Sequence, residues 1–230
     1  MRYAAWDGMA WNERTLQEFT DHSPLFFVQS SNAVDSSGNP HILYSTYDVM
    51  TGDHSFVYGY WDGVEWRTTP IEDSSYDNPA LVLDSMDRPH MVYVGGGNPR
   101  STLHYVYWDG DTWIKEDVDT YLGLPSMAGT SLRLDANDLP QIAYVDAYDE
   151  VEGVLGREVK WAHKVNGQWV SELVGDGVGE DWVSLSLDPF GNPHIAYRDG
   201  VDLEYAVGVL PEPATLSLLA LGGLALIRRR

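Results

Sequence analysis

The chain has 230 residues, of which 35 are acidic and 14 are basic, so its formal net charge is −21. Such an excess of carboxylates repels the phosphate backbone of nucleic acids, and no nucleic acid is therefore expected as a partner. The sequence contains no cysteine, which excludes disulfide and thiolate chemistry, and its 43% apolar residues provide ample material for a hydrophobic core.

Two short phrases alternate along residues 1–207, and each predicts a β-hairpin. The first phrase places an Asp-x-x-Gly-x-Pro or similar turn between apolar strands, and the second places Trp-Asp-Gly between a Tyr-x-Tyr strand and another tryptophan. The first occurs as AVDSSGNPHILY (33–44), LVLDSMDRPHMVY (81–93), LRLDANDLPQIAY (132–144) and LSLDPFGNPHIAY (185–197). The second occurs as YAAWDGMAW (3–11), YGYWDGVEW (58–66), YVYWDGDTW (105–113) and, more loosely, WAHKVNGQW (161–169).

The spacing of the copies predicts the fold. Their prolines, Pro40, Pro89, Pro140 and Pro193, are 49, 51 and 53 residues apart. A period near 50 residues that is built from two hairpins is typical of a propeller blade, because stacked copies bury the faces that a single sheet leaves exposed. We therefore predict an all-β fold, a β-propeller-like array of four-stranded antiparallel blades, about four to five in this chain, with a short hydrophobic helix only at the C-terminus.

The chain begins inside a repeat, because Tyr3 already belongs to a second phrase. One explanation is that the first phrase of that blade lies upstream of Met1. The other is that the N-terminal strands close a ring by pairing with the last blade, which ends early at Leu203-Glu204-Tyr205. The opening residues have no basic region followed by an apolar stretch, so they are not a signal peptide, and an exported form needs one upstream.

Several conspicuous residues recur once per copy, which favours a structural role. The residue types of His41, His90 and His194, with Gln141 in the remaining copy, are compatible with metal binding. Because they lie about one blade apart, a repeated hydrogen bond from strand to turn is the simpler interpretation. The turn aspartates Asp35, Asp84, Asp135 and Asp188 are expected to cap equivalent hairpins. The tryptophans of the second phrase are expected to pack blade against blade: Trp6, Trp11, Trp61, Trp66, Trp108, Trp113, Trp161 and Trp169.

A functional site is expected where the copies differ, because a scaffold residue recurs and a site usually does not. The loops between the two hairpins, residues 45–55, 95–100 and 146–156, differ most and are predicted to share one rim. Their carboxylates suit a Ca²⁺ site, a glycosidase pair or a solvated acidic loop. No Walker, GxSxG, HExxH or EF-hand motif is present, and we assign no catalytic residue and no other cofactor. The candidate binding residues are Asp48, Asp53, His54, Asp146, Asp149, Glu150 and Glu152.

The C-terminal segment, residues 208–230, has the order of a membrane-targeting signal. Pro211-Glu212-Pro213 precedes an uncharged run of 14 residues, Ala214 to Ile227, and Arg228, Arg229 and Arg230 end the chain. As a helix the run covers roughly 21 Å, which is less than the ~30 Å hydrocarbon core of a bilayer and suits a transient anchor. A helix buried in the domain is the alternative, but three terminal arginines do not suit a hydrophobic core. The tail resembles the PEP-CTERM sorting signal of exopolysaccharide-producing bacteria. That resemblance implies an exosortase as partner, cleavage near Pro211 to Pro213 and transfer from the inner membrane to the cell surface or matrix.

Residues 1–207 resemble the secreted bacterial propeller repeats of the form LxLDxxGxPHIAY followed by WDGxxW. That family has no single assigned activity, so the resemblance implies architecture rather than chemistry. The turns are also similar to the Asp-box of sialidase-like propellers. An Asp-box, however, carries its tryptophan within the turn, whereas here Pro-His follows the turn and tryptophan comes a hairpin later, so sialidase catalysis is not carried over.

These features lead to an expected function outside the cytoplasm. We expect an exported surface or matrix protein that is non-catalytic and binds polysaccharide or another surface component. The alternative is a glycan-active hydrolase or lyase, and a third possibility is a structural protein without a discrete ligand. A closely spaced carboxylate pair with a raised pKa in a pocket would favour the enzyme.

Overall fold

The structure is a computed structural model that describes residues 2–16, 25–48, 50–51, 54–73, 79–97, 100–120, 129–149, 155–177, 182–199 and 202–209. All regular secondary structure among these residues consists of seventeen strands. They are β1 (Arg2–Trp6), β2 (Trp11–Thr15), β3 (Leu25–Val34), β4 (Pro40–Asp48), β5 (His54–Trp61), β6 (Trp66–Asp73), β7 (Ala80–Leu83), β8 (Pro89–Gly97), β9 (Arg100–Trp108), β10 (Trp113–Thr120), β11 (Thr130–Leu134), β12 (Pro140–Asp149), β13 (Leu155–Val165), β14 (Gln168–Gly177), β15 (Val183–Leu187), β16 (Pro193–Asp199) and β17 (Asp202–Val207).

The strands form five antiparallel sheets in which neighbours in sequence are neighbours in space. Sheet 1 contains β1–β2, sheet 2 contains β3–β6, sheet 3 contains β7–β10, sheet 4 contains β11–β14 and sheet 5 contains β15–β17. The first phrase forms the hairpin between the first two strands of a sheet, and the second phrase forms the hairpin between the last two. The prediction of repeated four-stranded antiparallel sheets is therefore confirmed for sheets 2, 3 and 4.

The sheets lie side by side in a propeller-like row. The first strands of sheets 2 to 5 are neighbours, since β7 contacts β3 and β11, and β11 contacts β15. Among the described strands, β1 pairs with β2 alone, so the ring-closing pair that the sequence allowed is not seen. The expected C-terminal helix falls on residues 210–230, which lie outside the described residues. Within the described ranges no helix is long and apolar enough to cross a bilayer.

The turn aspartates cap their own hairpins at equivalent positions, as the sequence predicts. Asp84 is typical: its Oδ1 accepts the backbone N–H groups of Met86 and Arg88, both at 2.8 Å. The carboxylates of Asp35, Asp135 and Asp188 accept the corresponding N–H groups two and four residues downstream. A carboxylate that takes two backbone donors satisfies groups that the tight reversal leaves unpaired.

One position of these turns connects neighbouring sheets. The left-handed conformation that Gly38 and Gly191 adopt at φ 83° is held by aspartate in two copies, Asp87 at 62° and Asp138 at 60°. Asp138 Oδ1 accepts the N–H of Ser85 at 3.0 Å and Oδ2 accepts its hydroxyl at 2.6 Å, across the seam between sheets 3 and 4. Asp87 binds Ser36 of sheet 2 in the same way. Aspartate tolerates this backbone region better than most residues, and here its side chain contributes an intersheet link.

The hydrophobic core lies in the seams between sheets rather than within any sheet. One cluster joins Leu43 and Phe56 of sheet 2 to Met91 and Tyr93 of sheet 3, and similar clusters join sheets 3 and 4 and sheets 4 and 5. In sheets 2, 3 and 4 the second tryptophan of the hairpin packs edge-on against a tyrosine of the preceding sheet, with ring centroids 5.3–6.1 Å apart. The prediction of blade-to-blade packing is confirmed for three pairs, Trp66 with Tyr3, Trp113 with Tyr58 and Trp169 with Tyr105.

Candidate functional site

The loops predicted to hold the site are shorter than the sequence suggested. Strand pairing continues through their polar residues, so that Thr46 pairs with Ser55 and Asp146 with Glu158. The predicted boundaries at residues 45 and 146 are therefore wrong, because backbone pairing does not depend on the polarity of the side chains. Asp146 lies inside β12 and is only 7% exposed, not in a solvated loop.

The remaining predicted binding residues are only partly described. Asp48 ends β4 and its Oδ1 accepts the N–H groups of Met50 at 2.8 Å and Thr51 at 3.3 Å, so it caps its own turn. Asp53, Glu150 and Glu152 lie outside the described residues, as do the side chains of His54 and Asp149. The structure therefore does not bring the predicted set together into one described site.

Asp146 belongs to a charged cluster that joins sheet 4 to Asp119 of sheet 3. The Lys160 ammonium donates to Asp146 Oδ2 and also lies 3.6 Å from Asp119 and 3.5 Å from Glu158. Burial raises the pKa of Asp146, an effect that Lys160 only partly offsets. Burial opposes the charge of Lys160, yet the bond to Asp146 raises the pKa of this lysine overall. Asp146 Oδ1 is buried and has no hydrogen-bond partner among the described residues.

The cluster breaks the symmetry of the repeat. The positions of Asp146 and Lys160 are held by Thr46 and Val57 in sheet 2, and by Gly95 and His104 in sheet 3. In sheet 3 the imidazole fills the space, since a Cβ added at Gly95 would lie 2.8 Å from the His104 ring. Sheet 4 alone among these three carries a carboxylate and an ammonium here, so the copies differ chemically at this place.

The recurring histidines make structural hydrogen bonds. Each Nδ1 bonds to a tyrosine hydroxyl of its own sheet, in the pairs His41 with Tyr58, His90 with Tyr105 and His194 with Tyr205. On the other side of the ring, His90 Nε2 lies 3.4 Å from the turn carboxylate of Asp84. The predicted bond from strand to turn is thus seen at His90, with the tyrosine bond in addition. Burial lowers the pKa of His41 and His90, which favours the neutral form of both imidazoles.

Gln141 replaces the histidine in sheet 4, and its partner changes with it. Trp161 stands where the other sheets have tyrosine and donates its indole N–H to Gln141 Oε1 at 3.1 Å. The amide of Gln141 donates to the Gly191 carbonyl of sheet 5 at 2.8 Å. Within the described ranges, no three His, Asp or Glu side chains form a metal-binding group.

A cleft between sheets 2 and 3 is a feature that the sequence interpretation missed. It has a volume of about 430 Å³ and lies beside the turns that end in Pro-His. Tyr58 and Tyr60 line it from sheet 2, and Trp108 and Trp113 line it from sheet 3. The rest of the lining consists of His41, Thr69, Asp87, Arg88 and Pro89. The Tyr-x-Tyr pattern of the sequence could have indicated this cleft. Residues two apart on a strand share one face of the sheet, and here that face is turned toward the next copy.

The same place in the other seams has a different lining. Between sheets 1 and 2 the cleft measures about 250 Å³, Ala5 takes the position of Tyr60, and the Arg14 guanidinium lies 4.4 Å above the Trp61 ring. Between sheets 4 and 5 it measures about 340 Å³, with Trp161 and His163 on one wall and Gly208 opposite. Between sheets 3 and 4, Lys164 takes the position of Trp108 and forms an ion pair with Glu116 at 2.7 Å.

Comparison with known proteins establishes the fold alone. No family model and no curated protein matches the sequence. The Penicillium chrysogenum alpha-L-arabinanase complexed with arabinobiose superposes with a TM-score of 0.55 at 11% identity, over 83% of this chain and 65% of the arabinanase. The xylan beta-1,4-xylosidase of Bacillus halodurans gives 0.50 at 13% identity, over 90% of this chain and 47% of the xylosidase. The chain therefore spans about two thirds of the length of the arabinanase and about half of the length of the xylosidase.

A third solved structure is a lectin. The fucose lectin from Kordia zhangzhouensis in complex with methyl-fucoside is 18% identical, over 63% of this chain and 97% of the lectin, with a TM-score of 0.44.

Proposed function

We propose that the protein is a non-catalytic scaffold that binds glycans, and that the cleft between sheets 2 and 3 is its binding site. The observation that carries this proposal is the lining, in which aromatic rings from both sheets surround about 430 Å³ and polar side chains lie among them. Aromatic faces pack against the C–H faces of sugar rings, while a few convergent polar groups fix the hydroxyls. The volume falls within the roughly 300–1,000 Å³ that is usual for small-molecule sites.

The chemistry of this cleft favours binding over cleavage. Glycoside hydrolysis uses two carboxyl groups on either side of the scissile bond. Asp87 is the one carboxylate among the described residues that line the cleft, and both of its oxygens accept hydrogen bonds from Ser36. A sugar in this cleft would therefore meet hydrogen-bonding groups but no acid–base pair.

Affinity electrophoresis of the full chain through gels that contain neutral or amino polysaccharides tests the proposal. Retardation by at least one polysaccharide is expected, and Trp108→Ala should reduce it because it removes one aromatic wall. Trp182→Ala is the matched control, since Trp182 is 73% exposed and is not among the residues that line this cleft. Unretarded migration with every polysaccharide, or equal retardation of the Trp108→Ala variant, would contradict the assignment.

We also propose that the scaffold acts outside the cytoplasm. The support is the sequence of the tail, with Pro211-Glu212-Pro213, an uncharged run and three terminal arginines. An exosortase would recognise it, the inner membrane would hold the chain transiently, and the product would reach the cell surface or the matrix, where exopolysaccharide is available as a ligand. The short hydrophobic helix expected in the tail belongs to the same proposal.

A glycan-cleaving enzyme is the second candidate, and the Asp146 cluster favours it. Asp146 is a buried carboxyl with a raised pKa, and Lys160 brings the carboxylates of Asp119 and Glu158 close to it. Release of reducing sugar from a polysaccharide, abolished by Asp119→Asn or Glu158→Gln in a chain that remains folded, would establish the enzyme and overturn the scaffold. Folding of the Asp146→Asn variant must be checked separately, because that change leaves Lys160 with a neutral partner.

A further inference from the structure

The seam between sheets 3 and 4 contains an aromatic box that already holds a cation of the chain itself. The Lys164 ammonium lies 5.1 Å from the ring centroid of Trp169, 5.5 Å from that of Tyr105 and 5.9 Å from that of Tyr107. A cation within about 6 Å of an aromatic face is attracted by the ring quadrupole. Glu116 completes the box, since it accepts from the ammonium at 2.7 Å and from the Trp169 indole N–H at 2.7 Å.

The seam between sheets 2 and 3 has the same three rings without the internal cation. Tyr58, Tyr60 and Trp113 stand at the positions of Tyr105, Tyr107 and Trp169, as the strand registers show. Trp113 meets Tyr58 edge-on at 5.4 Å, much as Trp169 meets Tyr105 at 5.3 Å. Trp108 replaces the lysine and Thr69 replaces the glutamate. The result is the cleft of about 430 Å³.

The charges around this cleft suit a cationic guest. Arg88 lines it, but its Nε donates to Asp84 at 2.6 Å and its Nη1 donates to the Asp109 carbonyl at 3.1 Å. Among the described residues, no ammonium or guanidinium lies over the rings of Tyr58, Tyr60 or Trp113 as Lys164 does in the next seam. The His41 imidazole stacks on Tyr60 at 5.7 Å, as His90 stacks on Tyr107 at 5.5 Å beside Lys164, so this contact is common to both seams. The Asp87 carboxylate and the net charge of −21 both favour a cation.

We propose that this cleft binds the protonated amine of an amino sugar unit in a polysaccharide, in the place that the Lys164 ammonium takes one seam along. This inference rests on the proposed glycan-binding function and adds the chemical class of the ligand. An amino sugar is favoured over a lysine side chain of a protein because Thr69 and Asp87 line the cleft beside the rings, where they can pair with the hydroxyls that flank the amine. The other two seams differ, since one has Ala5 and Arg14 in the box and the other has His163 and Gly208.

A charge-neutral exchange of residues between the two seams tests the inference. Trp108→Lys combined with Thr69→Glu installs the Lys164–Glu116 pair in the seam between sheets 2 and 3 and leaves the net charge unchanged. Isothermal titration calorimetry measures the binding of glucosamine oligomers to the full chain and to its variants. The titrations are done at mildly acidic pH and at about 0.15 M ionic strength, which limits diffuse electrostatic attraction. We expect one site per chain, at least about tenfold weaker binding of the N-acetylated oligomer, and loss of binding in the double variant.

The reverse exchange is the matched control for a variant that merely fails to fold. Lys164→Trp combined with Glu116→Thr opens the box between sheets 3 and 4, and the expected result is a second site per chain. Far-UV circular dichroism and urea unfolding show whether each variant is folded.

The possible outcomes separate the inference from the proposed function. Equal binding of glucosamine and N-acetylglucosamine oligomers, lost in the Trp108→Lys/Thr69→Glu variant, would overturn the cationic ligand and leave glycan binding standing. Binding that both exchanges leave unchanged would show diffuse attraction to an acidic surface and overturn the assignment to this cleft. Equally tight binding of a lysine-rich peptide would favour a protein partner instead. If no polysaccharide binds at all, the proposed function fails with the inference.

Discussion

The link between Asp138 and Ser85 should contribute measurably to the cohesion of sheets 3 and 4. Asp138→Gly removes two hydrogen bonds to a carboxylate, at 3.0 Å and 2.6 Å, which together contribute about 2–3 kcal/mol at a partly exposed site. Glycine relieves the left-handed backbone at φ 60°, which costs other residues about 1 kcal/mol, so the net loss should be about 1–2 kcal/mol. Asp138→Ala loses the same bonds and keeps the strained backbone, so its loss should be about 1 kcal/mol larger.

Equilibrium urea unfolding, followed by tryptophan fluorescence and circular dichroism, measures both variants and a double-mutant cycle with Ser85→Ala. Because Ser85→Ala keeps the backbone N–H, the cycle isolates the bond from the Ser85 hydroxyl to Asp138, and a coupling free energy of about 1 kcal/mol is expected. Ser36→Ala with Asp87→Gly provides the same measurement one seam away, where the two bonds are 2.8 Å and 2.5 Å long. A coupling energy near zero at both seams, or an alanine variant as stable as the glycine variant, would refute the reasoning.

Trp113→Leu should lower the free energy of unfolding, measured by urea titration, by about 2–4 kcal/mol because it removes the edge-on contact with Tyr58. Trp182→Leu is the control, and since Trp182 is 73% exposed it should change the free energy of unfolding by less than about 0.5 kcal/mol. Burial lowers the folded-state pKa of His90 below 6.5, so at mildly acidic pH the unfolded chain binds a proton at His90 more readily than the folded chain does. The free energy of unfolding should therefore fall as the pH drops below about 6.5. His90→Gln should make the free energy of unfolding less dependent on pH in this range, as a series of unfolding curves at different pH values would show. Neutral residues at Arg228, Arg229 and Arg230, in a form exported by a signal peptide, should weaken membrane retention and sorting in cell fractionation. Equal surface delivery of a form that ends at Leu210 would remove the case for a sorting signal.

The sheets and their order could be predicted because the turn residues report local geometry. Asp-x-x-Gly-x-Pro and Trp-Asp-Gly specify reversals that depend only on a few neighbouring residues, and the four turn aspartates do occupy equivalent hairpins. Strand ends were less predictable, because backbone pairing extends through polar residues such as Asp146. The loops predicted from the polar residues were therefore longer than the loops of the structure.

The candidate cleft could not be predicted because it depends on contacts between copies. A repeat alignment shows Tyr60 and Trp108 as members of two separate phrases, and only the stacking of sheets 2 and 3 brings them to one cleft. The exchange of Trp108 for Lys164 is visible in the sequence, but its meaning requires the aromatic box around the ammonium. The tail prediction rests on residues 210–230, which lie outside the described residues, and it stays a prediction.

Because the apolar core lies in the seams, the array should behave as a one-dimensional chain of coupled units. In such a system the stability of one unit depends on its immediate neighbours, and the loss of one interface divides the array into two smaller cooperative blocks. Each cleft likewise draws its walls from two adjacent copies, so a duplicated copy adds an interface whose lining combines an old face with a new one. Ligand preference can then diverge from one interface to the next while the turns, and with them the backbone, stay the same.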